Sequence, residues 1–201
     1  MEVFKYGRLE IEHLQKKDKK LSLAIDRIGM IDRKVLPDLF AALVNSIVAQ
    51  QISTKAAGTI WKRLLDRFGE ITPRTITSVE AEHIQQCGLS MRKAGYIKGI
   101  GEAVMQGRLN LAELPELSDC DVIKRLSTLP GIGVWSAEML LIFSMQRPNV
   151  LSWGDLGIQR GMMSLYGHTK LGREQFERYR KRYSPYGSVA SLYLWKVAAE
   201  R

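Results

Sequence analysis

The sequence predicts an all-α protein. Apolar residues recur at a spacing of three to four residues through nearly every segment, which is the period of an amphipathic helix. Capping residues, glycines and prolines separate these segments where helices are expected to start and stop. No run alternates between apolar and polar residues as a half-buried strand would, and no segment repeats at a fixed period. We therefore expect an irregular helical protein and not a solenoid.

Four helices are predicted in the first half of the chain. The first carries an apolar stripe of Leu39, Phe40, Leu43, Val44, Ile47 and Val48. Each helix starts at a residue that suits a helix N-terminus, either a proline in the first helical position or a side-chain oxygen that caps. The third helix is predicted to start at a capping box formed by Thr77 and Glu80. The four helices begin at Pro37, Ser53, Thr77 and Ser90, and the last three end near Gly69, Gly88 and Gln106.

Five further helices are predicted in the second half. Ser118 and Asp121 repeat the capping pattern, and that helix ends as the chain reaches Leu129. Asp155 is placed to cap a helix from Leu156 to Tyr166. The other three helices are predicted from Val134 to about Gln146, from Arg173 to Arg182 and from Ser188 to Glu200.

The charge of the chain favours a polyanionic partner without proving one. Thirty Lys and Arg residues oppose 21 Asp and Glu residues in 201, which gives a formal net charge of +9. The densest cluster, Lys16, Lys17, Lys19 and Lys20, has the alternative interpretation of a solvated helix face. Charge alone therefore leaves both interpretations open.

Several classes of protein are disfavoured by the sequence. No apolar run approaches the roughly 18 residues that a membrane span needs, and the N-terminus is too charged for a signal peptide, so we expect no membrane partner. Cys87 and Cys120 are too few for a four-thiolate metal site, and we expect both to be reduced, partly buried thiols.

Residues 129–137 read Leu-Pro-Gly-Ile-Gly-Val-Trp-Ser-Ala and lie between two predicted helices. Gly131 and Gly133 let the backbone turn sharply, and the following helix directs N–H groups outward, an arrangement that suits a phosphate. The carbonyls of Ser127, Leu129 and Ile132 are candidates to converge on a monovalent cation, K⁺ or Na⁺, that bridges to that phosphate. The alternative is an ordinary glycine-containing loop.

With its context, this segment resembles the helix-hairpin-helix of base excision DNA glycosylases. About twenty residues later, residues 151–155 read Leu-Ser-Trp-Gly-Asp and lead into a helix. Residues 153–161, residues 183–190 with Trp195, and residues 49–53, Ala-Gln-Gln-Ile-Ser, are similar to the 3-methyladenine DNA glycosylase II branch. The resemblance extends from about Leu36 to Trp195. It implies two helical subdomains flanking a cleft, one of residues 36–148 and one of residues 1–35 plus 149–201.

The sequence departs from that branch in three respects. Gly187 stands where the family has an arginine, and Met139 replaces an aromatic residue of the pocket. The chain has no room for the β-rich N-terminal domain of the bacterial enzyme. The two substitutions affect the expected shape of the pocket and one local contact but leave the expected reaction class unchanged.

The resemblance assigns catalysis to Asp155. A fixed carboxylate can stabilise the positive charge that develops on deoxyribose when a glycosidic bond breaks, or it can orient water. The alternative role is plain helix capping, and the two roles are compatible. The expected base pocket consists of Trp135, Trp195, Met139, Trp153 and Tyr186, for which the alternative is core packing.

The remaining site residues are expected to contact DNA. Gly131, Ile132 and Gly133 would bind phosphate, and the segment Gln50, Gln51, Ile52 and Ser53 would enter the duplex when the base leaves. Any one of the first three residues of that segment could be the wedge. The alternative is that this segment is only the amphipathic end of the preceding helix.

The implied function is the excision of alkylated purines, 3-methyladenine and 7-methylguanine, from double-stranded DNA by base flipping, which leaves an abasic site. No organic cofactor is expected, and the protein is expected to be a monomer, cytoplasmic in a bacterium or archaeon and nuclear in a eukaryote. Strand-cutting relatives carry a lysine two residues after the second hairpin glycine, where this chain has Trp135, so no lyase activity is expected. The alternatives are a glycosylase for neutral lesions such as hypoxanthine or 8-oxoguanine, and a non-enzymatic DNA-binding module.

Overall fold

The computed structural model of the protein describes residues 2–200, and that part of the chain is helical. It contains no β-strand, although Val3 and Lys34 form an isolated antiparallel bridge. A 3₁₀ helix, Leu111–Glu116, precedes α8. The α-helices are α1 (Arg8–Lys17), α2 (Lys19–Ile28), α3 (Leu39–Ala49), α4 (Thr54–Phe68), α5 (Pro73–Thr77), α6 (Ala81–Gln85), α7 (Met91–Met105), α8 (Asp119–Leu126), α9 (Val134–Phe143), α10 (Leu156–Tyr166), α11 (Arg173–Tyr183) and α12 (Gly187–Ala199). Across residues 2–200, no helix is both long and apolar enough to cross a membrane.

The chain divides into two compact units. Unit 1 consists of residues 1–35 and 141–201, and unit 2 consists of residues 36–140. The sequence placed the second boundary at residue 148, in the loop after α9. In the structure the division falls inside α9 itself, so this helix contributes residues to both units.

Unit 1 is built around the close approach of α10 and α12. A Cβ added to Gly161 on α10 would lie 2.1 Å from the backbone oxygen of Leu194 on α12, so only glycine allows the two helices to be this close. Helix α2 packs against both. This packing places the start of α10 beside the later turns of α12.

A buried polar cluster centred on Asp18 also stabilises unit 1. Asp18 caps α2, and its carboxylate accepts hydrogen bonds from Tyr166 at 2.7 Å and from Arg182 at 2.7 Å. Burial raises the pKa of Asp18, but hydrogen bonds from the Leu21 N–H, Arg182 and Tyr166 outweigh burial and lower it. Asp18 also separates Lys17 at the end of α1 from the first residue of α2, so the lysine cluster is not a single helix face.

Unit 2 positions two loops through helix α7. The apolar α3 is nearly covered and packs on α4 and α7, and the short α5 and α6 also pack on α7. The loop of residues 50–53 follows α3, and the hairpin of residues 127–133 joins α8 to α9. Both loops have contacts with side chains of α7.

Most predicted elements are confirmed, although α3 begins at Leu39 with Asp38 as its cap, two residues after the predicted start at Pro37. Ser53, Ser90, Ser118 and Asp155 accept backbone hydrogen bonds as helix caps. The capping box at Thr77 and Glu80 is wrong: Thr77 ends α5, and its hydroxyl bonds to the carbonyls of Pro73 and Arg74. The predicted helix toward Gly88 is the shorter α6, which begins at Ala81, after Glu80. Helix α5 is a separate helix that Thr72 caps and that has Pro73 in its first position.

Differences also occur at α9 and at one cysteine. Helix α9 ends at Phe143, three residues before the predicted end, and Gln146 adopts a φ of 51° in the turn that follows. Cys87 is buried as expected, but the expectation is wrong for Cys120, which is exposed because α8 buries Val122 and Leu126 instead.

Candidate functional site

Asp155 is a nearly buried carboxylate at the N-terminus of α10. Its Oδ1 atom accepts hydrogen bonds from the backbone N–H of Ile158 at 2.9 Å and from the indole Nε1 of Trp195 at 3.0 Å. The residue is 7% exposed. The predicted N-cap is therefore confirmed, and the N-terminal end of the helix dipole favours a negative charge at this place.

Serines of α12 hold the loop that leads to Asp155. The Ser188 hydroxyl accepts a hydrogen bond from the Val150 N–H at 2.9 Å and donates to the Arg147 carbonyl at 2.5 Å. Ser191 donates to the Val150 carbonyl at 3.3 Å. These bonds satisfy buried backbone groups of an irregular segment, which fixes where α10 begins.

Trp195 reaches Asp155 because α10 has a glycine at its second position. A Cβ on Gly157 would lie 2.8 Å from Cδ1 of Trp195 and 3.0 Å from Oδ1 of Asp155. The half-buried Trp195 ring also packs against Phe143, with ring centroids 5.5 Å apart. The sequence predicted Trp195 as a wall of the base pocket but did not predict its hydrogen bond to Asp155.

Two other predicted pocket residues of unit 1 have their own packing partners. Trp153 lies edge-on to Phe176, with centroids 5.1 Å apart, and the Arg173 guanidinium lies 5.2 Å from its ring centre. Tyr186 packs edge-on against His13 at 5.1 Å. Both rings are half-buried, and their roles in base binding stay predictions.

In unit 2, Trp135 and Met139 lie on the first two turns of α9. Trp135 is the second residue of the helix and is 44% exposed, a large exposed area for an indole. Met139 is half-buried one turn later. Their assignment to the base pocket also stays a prediction.

The hairpin between α8 and α9 requires glycine at position 131. Gly131 has a φ of 86°, in the left-handed region, and a Cβ there would lie 2.4 Å from Cδ2 of Tyr96 on α7. Ile132 is buried and donates its N–H to the Leu129 carbonyl at 3.0 Å, which anchors the turn. Gly133 is exposed, and among residues 2–200 no heavy atom other than those of Gly133 and its two chain neighbours lies within 4 Å of a Cβ built on it. The second glycine thus leaves open space for a close approach.

The hairpin has oxygens of the kind that bind a monovalent cation, and the cation site itself stays a prediction. Alkali cations in proteins are coordinated by backbone carbonyls that replace water. The Leu129 carbonyl accepts one hydrogen bond within the turn and has a second lone pair. The Ser127 hydroxyl oxygen is buried and has no hydrogen-bond partner among the described residues. A cation ligated near Ser127 and Leu129 would satisfy such an oxygen.

The loop after α3 is tied to the hairpin. The Gln50 side-chain amide donates to the Gly131 carbonyl at 2.7 Å. Gln51 has a φ of 60°, and both Gln51 and Ile52 are exposed, Ile52 by 38%. Ser53 caps α4 through the Ala56 N–H, at 3.2 Å.

Sequence reasoning missed two residues of α7 that support these loops. The Lys93 ammonium donates to the carbonyls of Val48, at 3.1 Å, and Gln50, at 2.5 Å. The Tyr96 ring lies against Gly131. The local sequence carries no signal for either contact, because each joins residues more than thirty positions apart.

The comparison with solved structures gives close matches over the whole chain. DNA-3-methyladenine glycosidase from Bacillus halodurans superposes with a TM-score of 0.86 at 38% identity, over 100% of this chain and 95% of that chain. The 3-methyladenine DNA glycosylase of Schizosaccharomyces pombe, in complex with abasic DNA, superposes with a TM-score of 0.84 at 29% identity, over 94% of this chain and 96% of that chain.

The curated relatives agree with these structures. DNA-3-methyladenine glycosylase 1 of Schizosaccharomyces pombe is 34% identical over 164 residues, covering 79% of this chain and 72% of that protein. The chain spans only 58% of a DNA-3-methyladenine glycosylase of Bacillus subtilis and 57% of DNA-3-methyladenine glycosylase 2 of Escherichia coli. A family model described as HhH-GPD superfamily base excision DNA repair protein matches residues 44–185. This match takes in both the hairpin and Asp155 and covers more than half of the 201 residues, so the chain belongs to the HhH-GPD superfamily of base excision DNA repair proteins.

Proposed function

We propose that the protein excises alkylated purines, 3-methyladenine and 7-methylguanine, from double-stranded DNA by hydrolysing the glycosidic bond. The observation that carries the proposal is the Asp155 carboxylate, which two N–H donors hold at the N-terminus of α10. Relatives named DNA-3-methyladenine glycosylase support the choice of alkylated bases.

Asp155 would act on the sugar. As the C1′–N bond breaks, its electron pair leaves with the base, and positive charge develops on the deoxyribose. A fixed carboxylate stabilises that charge without having to reorganise. Water then adds to C1′, and Asp155 would orient that water and accept its proton. An N-alkylated purine already carries a positive charge, so its departure as a neutral base needs little acid assistance.

The base must leave the helical stack before the carboxylate can reach the sugar. Aromatic faces would receive a flipped cationic base through stacking and cation–π attraction, on the order of 1 to 2 kcal/mol for each desolvated contact. Trp195 is one candidate, since its edge is fixed by the hydrogen bond to Asp155. Trp135 is the other, because its indole is 44% exposed.

The products would be a free base and an uncut strand with an abasic site. A lyase needs a nucleophilic amine to attack C1′ and form an imine. The second residue of α9 is Trp135, whose indole cannot form that bond. Hydrolysis by water is therefore the reaction that these residues support.

The loops of unit 2 would hold the DNA. The hairpin would bind a phosphate, for which Gly133 provides open space. A K⁺ or Na⁺ near Ser127, Leu129 and Ile132 would add positive charge beside that phosphate, and no organic cofactor is needed. We assign the wedge to Ile52, because the side chain of Gln50 is engaged with Gly131 and Ile52 is exposed and apolar.

Release of the base tests the proposal directly. Duplex DNA treated with dimethyl sulfate is incubated with the protein, and the released bases are separated by chromatography. We expect 3-methyladenine and 7-methylguanine above the spontaneous background. Binding of the DNA without release of any base would instead support a non-enzymatic DNA-binding module.

A further inference from the structure

Helix α7 carries two side chains, one turn apart, that contact the two loops assigned to DNA. Lys93 contacts the end of α3 and the start of the wedge segment, residues 50–52. Tyr96 lies against Gly131 of the hairpin. Positions i and i+3 share one face of a helix, so the two contacts come from the same side of α7. The two loops thus have a common support.

Lys93 is used in an unusual way for a lysine. Its ammonium donates to the carbonyls of Val48 and Gln50, and among residues 2–200 it forms no ion pair with a carboxylate. Burial lowers the pKa of Lys93, and the neighbouring charge of Arg92 lowers it further. Its positive charge meets the Val48 carbonyl in the last turn of α3, where the helix dipole has its negative end, and the Gln50 carbonyl just after the helix.

The contacts of Lys93 border a strained residue. Gln51 has a φ of 60°, which a residue other than glycine keeps only where its surroundings enforce it. The preceding residue, Gln50, is held at two points: Lys93 binds its carbonyl, and its side-chain amide bonds to the Gly131 carbonyl at 2.7 Å. These two bonds restrain the backbone where the exposed Gln51 and Ile52 leave α3.

We propose that Lys93 is a positioning residue that fixes the wedge segment relative to the phosphate-binding hairpin, with Gln50 as the link between the two loops. The distance between the bound phosphate and the wedge would then be fixed by the protein, so that the wedge enters the duplex without a further loop movement. This role rests on the proposed function and goes beyond it, because neither Lys93 nor Gln50 would touch the reacting sugar.

The competing explanation is that Lys93 only stabilises the end of α3. Lys98 provides a matched control on the same helix: its ammonium donates to the Val79 carbonyl at 2.6 Å, in the linker between α5 and α6. Lys98 also lies 3.5 Å from the Glu80 carboxylate. Lys93→Met and Lys98→Met each remove a lysine of α7 that donates to backbone carbonyl oxygen, while keeping an apolar stem. Only the first variant should affect the wedge segment.

We expect Lys93→Met to bind undamaged duplex within about twofold of wild type, because the hairpin is intact. Its single-turnover excision from methylated duplex should fall at least tenfold, which corresponds to about 1.4 kcal/mol. Lys98→Met should excise like wild type with a similar change in melting temperature. Lys93→Arg, which keeps the charge and donors, should recover part of the loss. If Lys93→Met does not fold, Gln50→Met replaces it, with the same tenfold loss expected.

Insertion itself is measured with 2-aminopurine placed beside a tetrahydrofuran abasic-site analogue. Wild type should unstack the fluorophore and raise its fluorescence, and Lys93→Met should raise it much less. In combination with Ile52→Ala, Lys93→Met should add little further loss, because residues that act through one element are not additive. Full additivity, or equal excision by the Lys93→Met and Lys98→Met variants, would overturn the inference.

The fluorescence readout separates this inference from the proposed function. A wild-type protein that unstacks 2-aminopurine but releases no methylated base would contradict the proposed substrate and leave the role of Lys93 testable. A wild-type protein that releases base, with a Lys93→Met variant that inserts and excises normally, would contradict the positioning role alone.

Discussion

Replacing Asp155 with asparagine removes the negative charge from the candidate active site while keeping the local fold. The Asn side-chain oxygen can accept the same two hydrogen bonds that Oδ1 receives, from the Ile158 N–H at 2.9 Å and from Trp195 Nε1 at 3.0 Å. The amide has the size of the carboxylate, so the gap beside Gly157 is filled as before. The substitution therefore tests the charge and not the packing.

Asp155→Asn should have a small effect on the stability of the protein and a large effect on its activity. Asparagine caps helices about as well as aspartate, so the free energy of unfolding should change by less than about 1 kcal/mol. Removing a preorganised electrostatic group from a catalytic site typically lowers kcat by about 10² to 10³, or roughly 3 to 4 kcal/mol. We thus expect excision to fall at least a hundredfold in a protein that melts close to wild type.

The assay is single-turnover release of base from methylated duplex, together with thermal melting and the affinity for undamaged duplex. Asp38→Asn is the matched control, since Asp38 caps α3 through the Ala41 N–H at 2.8 Å and plays no part in the proposed chemistry. It should excise like wild type. An Asp155→Asn variant that excises at near-normal rate would remove Asp155 from the mechanism and leave it as a helix cap.

Three further substitutions test the hairpin, the packing of unit 1 and its buried carboxylate. Gly131→Ala should weaken binding to all DNA sequences alike in a filter-binding assay, since the turn needs a positive φ; unchanged affinity in a folded variant would refute the phosphate role. Gly161→Ala should lower the melting temperature sharply or prevent folding, because its Cβ would meet the Leu194 carbonyl oxygen, a backbone atom, at 2.1 Å; a wild-type melting curve would contradict this packing. Asp18→Asn should cost about 1.5 to 3 kcal/mol at pH 7, because it removes the buried negative charge that accepts hydrogen bonds from Arg182 and Tyr166. The pKa of Asp18 is lowered in the folded protein, so its stabilisation is present above the unfolded pKa of about 3.9 and is lost as pH falls through the folded pKa. In urea unfolding, the difference in stability between wild type and Asp18→Asn should therefore shrink below about pH 4. A difference that stays constant with pH would mean that Asp18 is unpaired.

Local chemistry made much of the fold predictable. The helix Leu156–Tyr166 and its cap Asp155 were predicted correctly, because an aspartate before an apolar stripe and Gly167 after it mark both ends within the segment itself. Helix α5 was missed because the pattern at Thr77 and Glu80 satisfies the same local rule for the start of a helix. In the structure Thr77 ends α5, which Thr72 caps, and α6 begins only after Glu80. Nothing within that stretch shows that the chain forms two short helices there.

The contacts that shape the candidate site were not predictable in the same way. Trp195 and Asp155 are 40 residues apart, Lys93 and Gln50 are 43 apart, and Gln50 and Gly131 are 81 apart. Each contact depends on how helices pack, and a single sequence carries no periodic signal for that. Motif order could identify Asp155 and the hairpin, but only the fold shows which donors hold the carboxylate and what supports the wedge segment.

The most direct test of the account follows the fate of base and strand in one reaction. Wild type and Asp155→Asn are incubated with an end-labelled, dimethyl sulfate-treated duplex, with borohydride present in a parallel sample to trap any imine. We expect wild type to release free 3-methyladenine, the strand to break only after hot alkali, and no protein–DNA adduct to form. Two results would contradict hydrolysis directed by Asp155. One is strand breakage without alkali together with a borohydride-trapped adduct, and the other is base release by Asp155→Asn at the wild-type rate.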